Sequence, residues 1–548
     1  MNLQSAGGGR PTRRHGHRFW GAVADAYEVV VVGAGLGGLV TAALLARAGK
    51  RVLVLDGHYV AGGNATIFRR KRYEFDVGIH YLGDCGPNGT IPRILRECGA
   101  EGVRFLPMDS DLEVITFPDF EFAIPRDKGT FRRRLVERFP REKRGIDRYF
   151  RFLDQVDRMQ VAQRRSKGWQ LLAVLRCPLV IRYMSKTFGE FLDSCTHDVP
   201  LRAILTAQNG TYAVAPGRVS AMLHAGLQNH YFIDGGWYPE GGGQVLADRL
   251  AESIERNGGE IRLVSEVSRI HVENGRVDGV TFSNKHLGEQ TVRTPIVVSN
   301  ADLKRTVLDL VGKEYFPADY AGRVEDFEMA LPLFVVFLGL DIPASQLPFG
   351  NSNRWVFDDY DFDREYACVA DGAMPQKPFV YIATASLKDP GNRRLAPEGH
   401  TNMQLMTLAP ANPAAWNVAD EDARSGKYEG SEGYQHAKNQ LMERVIQQAE
   451  KAIPGLSQHI VFKEASTPLT HTRYTGSTGG TSYGIAATPG QFLGNRPSPR
   501  TPIEGLFLAG ASTRSGHGIV GAMQSGEVAA GRVSRFSQGD RGRSPERA

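Results

Sequence analysis

The sequence predicts an α/β protein in which a parallel nucleotide-binding sheet is assembled from separated stretches of chain, with a discontinuous mixed α+β substrate domain between them. Three observations carry this reading. Residues 29–57 run as strand, glycine-rich turn, helix, strand and acid; residues 238–302 give a glycine-led helix, a hairpin and a buried strand; residues 505–533 give a strand, a glycine turn and a long helix. The 62 glycines against 29 prolines suit close approaches of backbone to a ligand better than they suit disorder.

The first unit is the most telling. Four consecutive valines, Val29 to Val32, lack alternation, as a strand buried on both faces does. Gly33, Gly35 and Gly38 then spell G-x-G-x-x-G ahead of a helix that Gly49 can end, and a strand from Arg51 to Leu55 finishes on Asp56. In such a Rossmann-type βαβ unit Gly33 allows the tight turn, Gly35 lets a pyrophosphate approach and Gly38 packs helix on strand, while Asp56 takes a ribose hydroxyl. Past the acid, Gly62-Gly63 lets the backbone pass under a bulky cofactor, which favours a flavin over a nicotinamide.

From about 100 to 230 the pattern is mixed, with strands in "LEVITF" and "FEFAIP" and helices through "AILTAQNGTYAV" and "SAMLHAGL". "YPEGGGQVLADRLAESIERNGG" is then a helix opened by Gly241–Gly243 and closed by Gly258-Gly259; Asn274-Gly275 turns a hairpin, and "TPIVVSNAD" is a buried strand. "GLFLAG" delivers Gly510 to a turn, and Gly516, Gly518 and Gly521 precede a helix whose free amides suit negative charge on a reduced flavin ring.

These readings divide the chain into a flexible tail at 1–26, cofactor-domain parts at 27–100, 238–315 and 476–535, substrate-domain parts at 101–237 and 316–475, and a polar tail at 536–548. The 548 residues carry 66 basic and 60 acidic groups, a bias of +6 too small to point to nucleic acid. Five cysteines without C-x-x-C spacing suggest neither zinc nor a disulfide framework, so a reducing, cytoplasmic compartment is expected. The amino-terminal Arg13-Arg14 is followed by no apolar core of signal length. No stretch is long enough to span a membrane, but "GWQLLAVLRCPLVIRYM", Gly168 to Met184, after the arginines of 132–151, suits a segment lying in a membrane interface.

"GAGLGGLVTAALLARAGKRVLVLD" with its following diglycine, "YPEGGGQVLADRL", "VVSNAD" and "GLFLAGASTRSGHGIVGAMQSGEVAA" resemble the phytoene desaturase, carotenoid isomerase and retinol saturase superfamily of flavoproteins, from Tyr27 to about Val533. "FDVGIHYLGD" is similar to the stretch that sets retinol saturases apart. The resemblance implies a GR2-like FAD domain and a saturase acting on a retinoid- or carotenoid-like polyene. A desaturase or cis-trans isomerase is the alternative, and a non-enzymatic escort of prenylated GTPases a second one. FAD is the implied cofactor, lined by Gly33, Gly35, Leu36, Gly37, Gly38, Asp56, Gly57, Gly62, Gly63, Asn64, Val267, Asn300, Ala301, Gly510 and Val520. NAD(P)H is left as an external reductant, because only one dinucleotide unit is evident.

Three positions depart from the pattern. Asp56 stands where many relatives have Glu, Asn64 where related amine oxidases have Arg, and His517 where relatives have a small residue. Saturation needs a hydride at one carbon and a proton at the other. For the proton the shortlist is His80, Tyr81, Tyr483 and His517, with Glu240 beside them and His517 expected to titrate near ~6.5. Packing is the competing role for the tyrosines, a hydrogen bond within a turn for His80, and packing on the ring for His517.

Overall fold

The computed structural model describes residues 17–163 and 174–539. Its parallel sheet has five strands in the order Leu506–Leu508, Val297–Ser299, Val29–Val32, Val52–Leu55 and Glu260–Arg262. The valine run is at its centre, buried at every position, and each valine contributes roughly 1.5–3 kcal/mol. Against one face lie the helices Leu36–Arg47, Gln244–Arg256 and Gly518–Ser537. The first and last cross in close contact because Gly526 meets Gly37: a Cβ at Gly526 would stand 2.4 Å from the Gly37 carbonyl oxygen. Thr41 bonds the two helices, donating to the carbonyls of Gly37 and Gly526. The other face is covered by an antiparallel three-stranded sheet, Ser265–Glu273, Arg276–Asn284 and Gly288–Arg293, whose first turn is the expected Asn274-Gly275.

A second, seven-stranded sheet runs Ile460–Ser466, Leu333–Leu340, Thr401–Leu408, Val380–Ala383, Asn353–Val356, Asp111–Thr116 and Glu121–Pro125. Its central strands are buried on both faces, and Leu333–Leu340 and Val380–Ala383 read as unbroken apolar runs. Along Leu333–Leu340 the even residues Phe334, Val336 and Leu338 pack toward the helix Glu432–Ala449. Val335 and Phe337 face the other way, into a cluster with the helices between 128 and 234. Register places Glu113, Asn353, Trp355, Tyr381 and Gln404 on this second face.

One local expectation is corrected. The last helix begins at Gly518, so Gly521 lies inside it and does not precede it. It has to be glycine there, since a Cβ would lie 2.8 Å from the Gly516 carbonyl oxygen. Of the interfacial segment expected at Gly168–Met184, residues 168–173 lie outside the described residues; Pro178–Tyr183 is a short helix. Among the described residues no helix is long and apolar enough to cross a membrane.

Candidate functional site: a glycine cradle and an aromatic wall

Asn300 organises the glycine loop. Its backbone N–H bonds to the Val32 carbonyl at 2.8 Å, and its side chain lies under the turn. A Cβ at Gly35 would come within 2.7 Å of Asn300 Nδ2, at Gly37 within 2.7 Å of Oδ1, at Gly510 within 3.0 Å of Oδ1, and at Gly38 within 2.2 Å of the Gly33 carbonyl. Gly33 itself has φ +96°, where side chains are strained. Gly62 pairs with Gly35, its N–H donating to the Ala34 carbonyl at 2.8 Å, so the second diglycine lies directly against the first loop. Gly63 follows, and a Cβ on it would lie 3.2 Å from Gly35 Cα.

This cradle fits a dinucleotide. The helix Leu36–Arg47 starts at Gly35 with no side-chain cap and no acid in its first turn, so its leading amides stay available to a pyrophosphate. Asp56 accepts from the Ala34 N–H at 2.6 Å and the His58 N–H at 2.7 Å. A carboxylate has about four acceptor sites, which leaves room for a ribose hydroxyl. Gly57 lies against Glu266, and the strand bulges just after Val267, whose side chain is in the core. Asn64 donates to the Ser482 carbonyl at 3.3 Å, while its Oδ1 is buried without a partner. Where the resemblance to amine oxidases implied an arginine, this chain offers an unused acceptor. Ala301 and Val520 are half-buried, beside the loop and in the first turn of Gly518–Ser537.

At the other end that helix starts from His517, again with no side-chain cap. Gly516 and Gly518 on either side have φ +91° and +76°, which lets the chain turn sharply around the imidazole. Tyr483 stands against His517, ring centroids 5.4 Å apart, and its hydroxyl donates to the Gly210 carbonyl at 3.3 Å. Across the same space His80 meets Tyr381 edge-on at 5.9 Å, and Tyr81 stacks on Tyr231 at 4.7 Å. Tyr231 and Tyr381 both feel the charge state of Tyr483, so the four shortlisted residues belong to one neighbourhood.

Burial decides how these groups ionise. It pushes His80 down to about 3, helped by Lys388, and His517 down to about 3, helped by Arg496. This corrects the expected role of His517, because near ~6.5 an imidazolium was available and here the ring is neutral at physiological pH. Tyr81, Tyr231, Tyr381 and Tyr483 are all raised by burial and stay phenols. Glu240 is corrected outright: it forms an exposed ion pair with Arg104 and takes no part in the cluster.

Sequence reasoning missed a polar layer beneath the wall. Lys388, 3% exposed, donates to the His80 carbonyl at 2.7 Å and to Asn353 Oδ1 at 2.5 Å. Glu113, fully buried, accepts from Trp355 Nε1. Asp76 accepts from the Gly243 N–H at 2.7 Å and from the Tyr238 hydroxyl, fastening the 241–243 glycine turn to the hairpin before His80. Among the described residues no group of three or more His, Cys, Asp or Glu side chains is placed to hold a metal ion.

The comparisons agree with this geometry. Residues 36–303 match the profile of flavin containing amine oxidoreductases. The chain is 30% identical to the all-trans-retinol 13,14-reductase of Macaca fascicularis over 531 residues, covering 92% of this chain and 84% of that protein. It is 25% identical to the chloroplastic prolycopene isomerase of Daucus carota, covering 93% and 80%. An oxidoreductase structure from Methanosarcina mazei superposes with a TM-score of 0.60 at 18% identity, covering 92% of this chain and 99% of that one. A putrescine oxidase variant does so with a TM-score of 0.61 at 12% identity, covering 93% and 99%. At such identities the solved structures speak for the fold.

Proposed function

From the premise that the chain belongs to the flavin-containing amine oxidoreductase superfamily, in the branch of the all-trans-retinol 13,14-reductases and prolycopene isomerases, we propose that it adds two hydrogens across a carbon–carbon double bond of a hydrophobic polyene. It is an FAD-dependent oxidoreductase, and FAD, when bound, supplies hydride chemistry. Gly33, Gly35, Asp56 and the amides after Gly35 would hold its nucleotide half; Asn64, Gly510 and the amides after His517 would border the ring.

The observation that carries this reading is the neutrality of the wall. Ring contacts join His80 to Tyr381, Tyr81 to Tyr231 and Tyr483 to His517, giving six uncharged rings in one neighbourhood, with both imidazoles kept from protonating by burial. Such a surface suits a hydrocarbon chain, which offers nothing to satisfy a charge. The phenols remain protonated over the physiological range and can release a proton to a carbon on which negative charge develops. Tyr81 is the better placed donor, because it adjoins the buried carboxyl of Glu113, whereas Tyr483 spends its hydroxyl on a backbone carbonyl. The reductant is proposed to be NAD(P)H acting from outside. Anaerobic incubation of prereduced protein with a panel of retinoids and carotenoids should yield a product heavier by two hydrogens. Unchanged mass with altered geometry would make it an isomerase, and a loss of two hydrogens a desaturase.

A lipid-soluble substrate has to be collected, and peripheral membrane contact is proposed for the surface around 174–186. Leu175 is 75% exposed, and Ile181 and Met184 are exposed too, with Arg176, Arg182 and Lys186 beside them. The arginines of 132–151 contribute less than their number suggests: Arg132 is paired with Asp147 and Arg134 with Asp111. The protein should therefore sediment with anionic vesicles at low salt, weaken as salt shortens the Debye length to ~10 Å at 0.1 M, and lose binding in Leu175→Glu/Ile181→Glu. Equal sedimentation of that variant would remove the patch from consideration.

A further inference from the structure

We propose that Glu113 is the proton reservoir of this site, a buried acid that reloads Tyr81 after the phenol has protonated the substrate, while Lys388 faces the carboxylate left behind. It rests on the reading above that one carbon of the double bond takes a proton from the protein.

The geometry is unusual for a structural carboxyl. Glu113 is fully buried in the strand Asp111–Thr116, and only its Oε2 is bonded, by Trp355 Nε1. Its Oε1 and the Tyr81 hydroxyl are both buried without a hydrogen-bond partner, and the two side chains lie close enough that each shifts the ionisation of the other, with Tyr231 on the far side of the phenol. Unpaired buried polar atoms are costly and call for an explanation; a proton passed between these two neighbouring groups supplies one. Behind Glu113, Asn353 sits opposite it in the sheet register and accepts from Lys388. Lys388 in turn holds the carbonyl of His80, the residue before Tyr81. A chain of contacts thus runs from Lys388, which burial brings down to about 7 against the opposing pull of Glu113 and Asp76, to the phenol at the aromatic wall. Glu113 faces Tyr81, Tyr231, Tyr381 and Lys388; Lys388 faces Glu113, Asp76 and His80.

Burial lifts Glu113 to about 7, against the nearby Tyr81 hydroxyl, the hydrogen bond from Trp355 and the pull of Lys388. It can therefore hold its proton near neutrality and release it when a phenolate appears. In the first transfer the Tyr81 O–H bond breaks as a C–H bond forms, using the electron pair of the substrate's π bond; the neighbouring carbon would take the hydride that FAD, when bound, would supply. In the second, the Glu113 O–H bond breaks and the Tyr81 phenol is restored. The negative charge rests on Glu113 opposite Lys388 until a solvent proton replaces the one lost. Neither proton transfer oxidises or reduces a protein group.

Infrared spectroscopy of the flavin-loaded protein across pH tests the reservoir directly. A protonated-carboxyl band should be present below about pH 7, shift in D₂O, and be missing from Glu113→Gln. Lys388→Met should carry it to higher pH, because the cation that favours the carboxylate is gone. Tyr81→Phe, which differs by one oxygen, should shift its frequency whether or not Glu113→Gln folds. A spectrum unchanged in Glu113→Gln, or a band indifferent to both Lys388 and Tyr81, overturns the proposal. In kinetics, Glu113→Gln should slow ~10²-fold or more in later turnovers relative to its own first turnover, a drop that the wild type does not show. Wild-type rates in later turnovers would defeat the reservoir while leaving polyene reduction intact. Failure of the wild type to add hydrogens to any polyene would defeat the underlying reading.

Discussion

Gly38→Ala should be isolated as folded protein carrying less than about a tenth of the wild-type flavin. The added methyl would lie 2.2 Å from the Gly33 carbonyl oxygen and 3.1 Å from Asn300 Cβ. Neither neighbour is the free end of a flexible side chain, so the loop has to move. Overpacking of this kind costs about 1–3 kcal/mol, which alone is roughly a fivefold to 150-fold change in an equilibrium constant. The larger loss comes from displacing the amides that follow Gly35, which must all face a pyrophosphate together. The helix should survive, since Ala is a better helix former than Gly. Gly531→Ala is the matched control: it sits in the helix Gly518–Ser537, and a Cβ there meets nothing within 4 Å. Visible absorbance per chain should fall in the first variant and hold in the second. Equal flavin in both would show that the loop does not approach the cofactor through its backbone.

That loop was legible because its chemistry is local. A tight turn, a helix start and an acid at a strand end are fixed by neighbours in sequence, and the glycines that permit them cannot be disguised. The hairpin at Asn274-Gly275 was legible for the same reason. The polar layer under the wall was not. Lys388 stands in "ASLKDPGN", which reads as a solvated turn, and only the fold brings it to His80, 308 residues away. Glu113 follows a strand alternation in which a carboxylate belongs outside; the sheet is covered on both faces, so it went in. For Asn300 the sequence pointed to the cofactor, and the structure adds a second role, since its side chain lies against Gly35, Gly37, Gly38 and Gly510. For His517 the position could be read and the protonation state could not, because burial and a cation from another loop set it.

The cation is Arg496, and Arg496→Met should lower stability by about 1–3 kcal/mol, the range for leaving buried carbonyls without their donors. Arg496 is 1% exposed and has no carboxylate among its bonded partners. Its guanidinium instead gathers backbone carbonyls: Nη2 donates to Ile485 at 2.5 Å, Nη1 to Ala511 at 2.5 Å and Thr513 at 3.5 Å, and Nε to Gln491 at 3.3 Å. Four carbonyls from two loops are thereby satisfied by one side chain. These loops carry Tyr483 and His517, so the same group that holds them together also sets how the two rings meet. Burial brings Arg496 down to about 10, still well above neutrality, so it keeps its charge. Methionine fills much of the volume but leaves the carbonyls without donors. Lysine restores the charge and reaches fewer of them, because its ammonium lacks the planar fork, so Arg496→Lys should fall between wild type and methionine. Both variants should shift the urea midpoint with the slope unchanged. Loss of the cation should also let His517 bind a proton at higher pH than before, a change that imidazole NMR reads directly. Wild-type midpoints in both variants would mean that water replaces the guanidinium without loss, and that the turn bearing His517 is held by its own backbone alone.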